Sequence, residues 1–361
     1  MASHKKIEPA KEKTVLNYPS DKYRWRKLCG CLLLLIFPSL CGIEDSFARQ
    51  ITDMAGRKVN IPDKITRVLP YDNKTNALLY PVAGNLMIAK ARAMENPNLK
   101  YIAKDFLSKK EIDTKNAEEI IKLKPELIIV GAFVSEKEDL SNYILFAKKV
   151  NIPLIVVDLE LMKLDRSYEF MGNLLGKPTE GKQCADFIRS VYQNAEHYKK
   201  GKRVPGKGYM ANDNNGQRTA PRGSKHAQLF DIMSITNAVN TPLDSKGFAL
   251  VNMEQVLASN PDYIFCVGKG ETSPYHTVLK SALWRNITAV RNKRTFYVPS
   301  QPYLWFDMPP SVNRILGIIW FSDIFYEQPE EITKQKVTKF YQIFYHYNLT
   351  EKEYANLFKW Q

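Results

Sequence analysis

Three aromatic side chains occupy one short loop near the end of the chain, where they could hold a ligand. Tyr303, Trp305 and Phe306 follow a predicted strand and precede Pro309-Pro310-Ser311, where the next helix is expected to start. Aromatic rings on such a loop can grip a planar chelate or one with an apolar face. Core packing is the alternative, because aromatic residues are common in protein interiors. We predict Trp305 and Tyr303 as ligand contacts.

A second loop is rich in glycine and basic residues. Residues 216–226 include Arg218, Arg222 and His226, ahead of a predicted helix. Either arginine could pair with the carboxylates or catecholates of an anionic chelate. The His226 imidazole could coordinate a metal directly. The alternative for His226 is an ordinary surface position, since no Glu or Cys partner lies near it in the sequence.

Two further candidates stand where predicted strands end. Ligands of open α/β sheets bind beyond the carboxyl ends of the strands. Tyr71 follows the first such strand, and Phe133 follows a later one. Tyr71 could coordinate ferric iron or haem as a phenolate, although a tyrosine at this position can also simply be packed. We predict both residues as ligand contacts.

The sequence offers little for catalysis or for a bare metal ion. It has no Gly-rich phosphate loop, no GxSxG, no HExxH and no carboxylate pair at catalytic spacing, which disfavours an enzyme. A divalent ion needs three or four convergent ligands. The histidines beyond the predicted leader are few and dispersed, at His197, His226, His276 and His346. A chelated metal therefore fits better, and we expect no resident cofactor.

Length and charge narrow the class of protein. The chain has 361 residues, enough for two lobes and a leader, and a net charge of +14. Its basic residues are scattered among acidic ones, and no basic run is interleaved with aromatics, so nucleic-acid binding is not expected. The leader itself carries +3, which leaves +11 on the mature chain. That charge indicates a modest preference for anionic ligands on what we expect to be a monomer.

Residues 1–48 have the pattern of a cleavable secretory signal. Basic residues up to Lys27 precede the apolar stretch Leu28–Leu40, which is too short to span a bilayer stably. Small residues then allow cleavage after Ala48. A lipid anchor is the alternative, but Cys29 lies before the apolar stretch instead of after it. We therefore expect a secreted, periplasmic protein.

Predicted strands and helices alternate along the mature chain, which indicates an α/β fold. We expect two lobes, each with a central, mainly parallel sheet flanked by helices, and a ligand cleft between them. Two amphipathic helices break the alternation, and the second spans some twenty residues, about 30 Å, enough to join the lobes. The expected divisions are a signal peptide at 1–48, an N-terminal lobe at 49–163, linker helices at 164–200 and a C-terminal lobe at 201–361.

Four segments resemble, in order and spacing, those of one known family. They are the hairpin and strand Ile51–Pro70, the segment Asn116–Ile129 (NAEEI, then LKPELII), the segment Val251–Ile264 (VNMEQV, then NPDYI) and the run Trp284–Val298 (WRNITAVRNKRTFYV). Together they resemble the group III, or TroA-like helical-backbone, binding proteins of ABC importers for iron–siderophore, haem and vitamin B12. The matched segments cover the mature chain nearly end to end.

The resemblance implies a function and a partner. A protein of this kind captures a metal chelate outside the cytoplasm, here most simply a ferric siderophore, and delivers it to an ABC permease in the inner membrane. Haem, cobalamin, a nickel chelate or an oxyanion are alternatives within the family. An enzyme on a similar two-lobe α/β fold is a more distant alternative.

The resemblance also assigns roles to individual residues. In this family one acidic residue on each lobe docks into arginines of the permease, and the matching residues here are Glu118 and Glu254. A solvated carboxylate in a helix's first turn is the alternative for each, but their equivalent places in the two halves favour docking. The family often has a tryptophan lining the cleft at the place of Trp305, which makes Trp305 the leading ligand contact.

Overall fold

The computed structural model describes most of the chain beyond the predicted leader. The described residues are 48–92, 99–135, 139–204, 206–268, 270 and 273–358. The predicted signal peptide, apart from its last residue, lies outside them. Within the described ranges, none of the helices combines the length and apolar character needed to cross a membrane.

The first element is the predicted hairpin, and a buried aspartate fixes it to the sheet beside it. Strands β1 (Ala48–Thr52) and β2 (Lys58–Pro62) pair antiparallel. The Asp53 carboxylate accepts the Arg57 side chain at 2.6 Å and the backbone N–H of Val156 at 3.1 Å. Because Val156 belongs to a central strand, these hydrogen bonds fix the hairpin against the N-terminal lobe.

The N-terminal lobe is built on a parallel sheet that is buried on both faces. Its strand order is β3-β6-β7, and a shorter parallel pair, β4-β5, lies beside β3. Every residue of β3, β6 and β7 is buried, as expected for strands covered by helices. The elements are β3 (Val68–Pro70), α1 (Asn73–Ala83), β4 (Lys90–Ala91), α2 (Lys104–Leu107), β5 (Glu111–Ile112), α3 (Ala117–Leu123), β6 (Leu127–Ala132), α4 (Ser141–Val150) and β7 (Leu154–Asp158).

Two helices join the lobes. Helix α5 (Leu164–Leu174) is followed by α6 (Pro178–Lys199), whose 22 residues start with a proline in the first turn. The two helices pack closely because Gly172 and Gly181 face each other. A Cβ on Gly172 would lie 2.8 Å from the Cα of Gly181, so only glycine permits this approach. Helix α6 packs against α1 of the first lobe and against helices of the second.

The C-terminal lobe repeats the design with four parallel strands in the order β10-β8-β12-β13. A two-stranded antiparallel pair, β9-β11, lies beside it. The elements are β8 (Lys207–Ala211), β9 (Arg218–Thr219), α7 (Gln228–Ile232), β10 (Thr236–Asn237), β11 (Ala249–Leu250), α8 (Met253–Ser259), β12 (Tyr263–Cys266), α9 (Tyr275–Lys280), α10 (Thr288–Arg291), β13 (Thr295–Tyr297), α11 (Arg314–Tyr326), α12 (Glu330–Phe344) and α13 (Glu351–Leu357).

The last helices return to the N-terminal lobe. Tyr341 of α12 packs edge-on against Tyr101, with ring centroids 5.1 Å apart. Glu353 of α13 forms an ion pair with Lys100 at 2.5 Å. Residues counted with the C-terminal lobe by sequence therefore also pack on the first lobe, which adds a second connection besides α6.

The packing supports the predicted fold class: an α/β protein of two lobes with parallel sheets, joined by one long helix. One hydrophobic core runs through both lobes and includes Leu79, Ile188 and Phe265. Each lobe has a further core of its own on the outer face of its sheet. Cys184 and Cys266, which lie in apolar sequence contexts, are buried free thiols, and burial raises the pKa of both.

The ion pair of Glu353 gives a prediction for acid stability. Burial opposes ionisation of Glu353, but hydrogen bonds from Lys100, Thr350 and Tyr347 outweigh it and lower its pKa from 4.5 to about 2. The unfolded state therefore binds more protons in this range, and stability is lost as pH falls from about 4.5 toward 2. Urea unfolding of Glu353→Gln should show a deficit in free energy near pH 6 that shrinks over this range. Parallel pH profiles for wild type and variant would contradict the assignment, and Glu351→Gln, exposed on the same helix, is the control.

Candidate functional site

A cavity of about 690 Å³ lies between the two sheets and is lined by both lobes. From the N-terminal lobe it takes Asp72, Asn73, Lys74, Ala91, Arg92, Ile112, Asp113, Thr114, Lys115 and Phe133. From the C-terminal lobe it takes Lys225, His226, Ser245, Lys246, Phe248, Met308, Pro309 and Pro310. Several of these residues directly follow strands, so the cavity lies where ligands bind in open α/β sheets.

Positive charge dominates the cavity wall. Two of its residues are acidic, Asp72 and Asp113, and the cations are Lys74, Arg92, Lys115, Lys225 and Lys246. Asp72 already pairs with Lys74 at 3.1 Å and caps α1 by accepting the Thr75 N–H. Even with His226 neutral, the wall therefore carries three more positive than negative side chains, which suits an anionic ligand.

The predicted contact Phe133 does line the cavity, and two cations lie against its ring. Lys225 Nζ is 5.3 Å from the ring centroid, and the guanidinium carbon of Arg314 is 5.5 Å from it. Both distances are within the range of cation–π attraction. Arg314 is buried at the start of α11, where it donates to the backbone oxygens of Ser311 and Leu159 and to the Gln228 side chain.

His226 also lines the cavity, but both of its ring nitrogens are engaged by the protein. Nδ1 contacts a carboxylate oxygen of Asp307, and Nε2 lies 2.9 Å from the backbone oxygen of Lys246. Both ring nitrogens are therefore occupied by oxygen atoms of the protein. The ring stacks on Phe248, with centroids 4.2 Å apart and planes inclined by 15°. Neither nitrogen is left for a metal, so the geometry contradicts the prediction that His226 coordinates one.

Arg218 does not line the cavity and instead supports a residue that does. Its guanidinium lies 4.4 Å from the Phe248 ring centroid and pairs with Asp244 at 3.6 Å. The structure thus corrects the prediction of direct contact: Phe248 stands against the cavity, with His226 and Arg218 both packed on its ring.

The segment Asp244–Phe248 is a tight turn that presents Ser245, Lys246 and Phe248 to the cavity. The Asp244 carboxylate accepts the backbone N–H groups of Phe248 and Lys246, both at 2.8 Å, and these hydrogen bonds lower its pKa. Gly247 has φ +87°, which favours glycine, and its carbonyl accepts the Ser224 hydroxyl at 2.5 Å. The turn is therefore held by contacts on several sides.

The aromatic loop near the end of the chain is part of the core, contrary to the prediction. Trp305 is 0% exposed, its indole N–H donates to the Gln301 carbonyl at 3.0 Å, and its ring packs on Phe358. Tyr303 is also buried, which raises its pKa. Neither side chain lines the cavity, because the loop turns its rings toward α12 and the C-terminal residues.

Tyr71 packs against helix α4 and does not line the cavity. Its ring makes edge-on contacts with Tyr143 at 4.8 Å and Phe146 at 5.5 Å between centroids. Burial, together with the nearby charge of Asp72, raises its pKa. Its position outside the cavity lining contradicts the prediction that Tyr71 contacts the ligand as a phenolate.

Arg222 is exposed and lies outside the cavity lining. Its backbone N–H donates to the Val239 carbonyl at 2.9 Å, so its segment is part of the lobe's framework. In the part of the chain that the structure describes, no three His, Cys, Asp or Glu residues come together as a metal site.

Among the cavity residues that the sequence analysis does not single out are Arg92, Lys115, Lys246 and Phe248. Arg92 directly follows β4, and Lys115 comes three residues after β5. The rule that ligands bind beyond strand ends would have found both, but strands of two residues have no recognisable periodicity. The other two lie in the Asp244–Phe248 turn, for which an Asp–Ser–Lys–Gly run is the visible signal.

Glu118 and Glu254 occupy equivalent, exposed places in the two lobes. Each lies in the first turn of a seven-residue helix, α3 or α8. An asparagine side chain caps the N-terminus of each helix. Each helix ends at a residue with positive φ, followed by proline and a central strand. Among the described residues neither carboxylate has an ion-pair partner.

Comparison with known proteins agrees with this architecture. Residues 72–302, well over half of the chain, match the family described as periplasmic binding protein (Peripla_BP_2), and the chain belongs to that family. The molybdate-binding protein MolA of Haemophilus influenzae is 26% identical over 88% of this chain and 95% of its own. The iron(3+)-hydroxamate-binding protein YxeB of Bacillus subtilis is 24% identical over 85% of this chain and 98% of its own.

Solved structures show the same fold. An ABC transporter solute-binding protein from Sulfurospirillum deleyianum superposes with a TM-score of 0.76 at 23% identity, covering 86% of this chain and 99% of its own. The TroA-like binding protein FepB from Veillonella parvula gives 0.64 at 17% identity, covering 83% and 97%. The resemblance to the TroA-like binding proteins of ABC importers is thereby confirmed.

The paired geometry of His226 gives a stability prediction. His226→Ala leaves the Asp307 carboxylate, which is fully buried, without its hydrogen-bond partner and should lower the free energy of unfolding by about 2 kcal/mol. Arg222→Ala, four residues away and exposed, should stay within about 0.5 kcal/mol of wild type. Equilibrium urea unfolding measures both, and a His226→Ala variant as stable as wild type would contradict the pairing.

Proposed function

We propose that the protein captures an anionic metal chelate, a ferric siderophore, in the cavity between its lobes and delivers it to an ABC permease. The observation that carries this proposal is the excess of cationic over acidic side chains on the cavity wall. Phe133 and Phe248 add apolar surface for the organic part of such a ligand. An exported monomer, released from its leader in the periplasm, is the form in which we expect it to act.

The size of the cavity supports a chelate. A volume of about 690 Å³ lies in the range of sites that enclose drug-sized molecules, about 300–1,000 Å³. A single oxyanion would fill only a small part of it. The name of YxeB, a ferric-hydroxamate-binding protein, agrees with a siderophore ligand.

Molybdate is the second candidate. It is favoured by the match to MolA, of which the alignment covers 95%. The basic wall suits a small oxyanion as well as an anionic chelate, so charge alone does not separate the two ligands. Direct titration with an anionic ferric catecholate siderophore and with molybdate does separate them.

The first test removes charge from the cavity. In Lys115→Gln/Lys225→Gln, the loss of two cations should weaken binding of a ferric catecholate siderophore, whose iron complex is anionic, at least about tenfold, or 1.4 kcal/mol, measured by quenching of tryptophan fluorescence. Lys280→Gln removes an exposed cation outside the cavity and should bind as wild type does. Unchanged affinity of the double variant would exclude this cavity as the site, whereas tight binding of molybdate alone would replace the siderophore by the oxyanion.

The second test addresses delivery. We propose that Glu118 and Glu254 pair with cationic side chains of the permease, since exposed carboxylates suit reversible ionic recognition. Glu118→Lys/Glu254→Lys should abolish uptake by cells while leaving the affinity for the ferric siderophore unchanged. Loss of ligand binding would instead show that the two carboxylates are structural.

A further inference from the structure

Two exposed apolar side chains lie at matched positions on α3 and α8. Ile121 is 50% exposed and Leu257 is 40% exposed. Each comes three residues after a proposed docking carboxylate, Glu118 or Glu254. Residues three apart on a helix are neighbours on one face, so each carboxylate has an apolar side chain beside it.

The two helices match in structure as well as in sequence position. Along 116–127 and 252–263 the order of buried, half-buried and exposed residues is the same except at one place, Glu119 against Gln255. Ile120 and Val256 are buried on the inner sides of these helices. Ile121 and Leu257 are only partly covered within their lobes, because each leaves 40% or more of its surface in water. Each helix therefore presents apolar surface that a partner could cover.

The placement of the two helices identifies the face on which they lie. Each helix connects by a short turn to the strand that follows it and runs back along the sheet, so its first turn lies at the carboxyl edge of the strands. The cavity is at that same edge: Lys115, three residues before Glu118, and Phe248, six residues before Glu254, both line it. A partner that receives the ligand from the cavity can therefore touch both helices at once.

We propose that Glu118 with Ile121, and Glu254 with Leu257, form two matched docking epitopes. The partner that binds them has two copies of the same contact surface. Each copy consists of a cationic side chain beside an apolar one. We infer that the partner's side chain is cationic because Glu118 and Glu254 have no ion-pair partner in the described part of the chain. We infer that the partner presents the contact twice because the two helices match. This inference rests on the proposed function, in which that partner is the permease.

The carboxylates and the apolar side chains contribute differently to binding. Exposed ion pairs speed association and weaken as salt rises, because ions screen them. Burial of Ile121 and Leu257 at the interface adds a contribution that salt does not screen. Removing the two apolar side chains should therefore weaken docking at every salt concentration and leave its salt dependence unchanged, whereas removing the charges should flatten that dependence.

The experiment measures docking of the protein, loaded with a ferric catecholate siderophore, to its permease in lipid nanodiscs. Ile121→Ser/Leu257→Ser should dock about tenfold more weakly than wild type, with the same slope of affinity against salt. Leu279→Ser/Leu283→Ser is the control and should dock as wild type does. It shortens two side chains that are 43% and 63% exposed, at and beyond the end of α9, which follows β12 and so ends toward the opposite edge of the sheet. Circular dichroism and ligand affinity confirm that each variant is folded and binds.

The outcomes separate this inference from the function on which it rests. If Ile121→Ser/Leu257→Ser docks as tightly as wild type, or no more weakly than the control, the apolar half of the epitopes is wrong. If the apolar substitutions have no effect but Glu118→Gln/Glu254→Gln docks more weakly than wild type, the proposed docking through the two carboxylates stands without the apolar contacts. If neither pair of substitutions affects docking, the proposed role of the two helices fails as a whole.

Discussion

The two lobes share one continuous hydrophobic core, and this core fixes the positions of the elements that line the cavity. That core passes from α1 through α6 to the C-terminal sheet, and α12 and α13 return to pack on the first lobe. Behind the cavity, the buried Arg314 donates to the Leu159 carbonyl of the other lobe, while Gln228 accepts from both Arg314 and the Leu161 N–H. A connection packed in this way limits how far the lobes can move apart, so the cavity is largely formed before the ligand arrives.

In each lobe, one short segment both lines the cavity and leads into the helix that carries Glu118 or Glu254. The segment after β5 lines the cavity and then caps α3, where the Asn116 side chain accepts the Glu119 N–H. In the other lobe the Asp244–Phe248 turn lines the cavity and leads through β11 into α8. Each proposed docking helix therefore begins within a few residues of the cavity wall. The proposed ligand contacts and the proposed partner contacts are thus neighbours in sequence, an arrangement that would suit recognition of the loaded protein.

The sequence predicts the elements with strong local signals. The Asn-capped helices followed by Pro and a buried strand are visible in both halves, and periodicity alone locates α5 and α6. The sequence does not predict which way the side chains of these loops point. An aromatic residue after a strand has the same local pattern whether it faces a cleft or the core. Trp305 faces the core, while Phe133 faces the cavity. Arg92 and Lys115 were missed for a different reason, since the two-residue strands before them are defined only by their pairing.

We propose that ligand binds in the cavity between the lobes while the shared core stays fixed. Hydrogen–deuterium exchange with and without a ferric catecholate siderophore can distinguish these two regions. Binding should slow exchange in residues 111–115 of the first lobe and 244–248 of the second, and leave the slow exchange of α6 unchanged. Saturable binding that protects only one of these segments, or neither of them, would contradict the account.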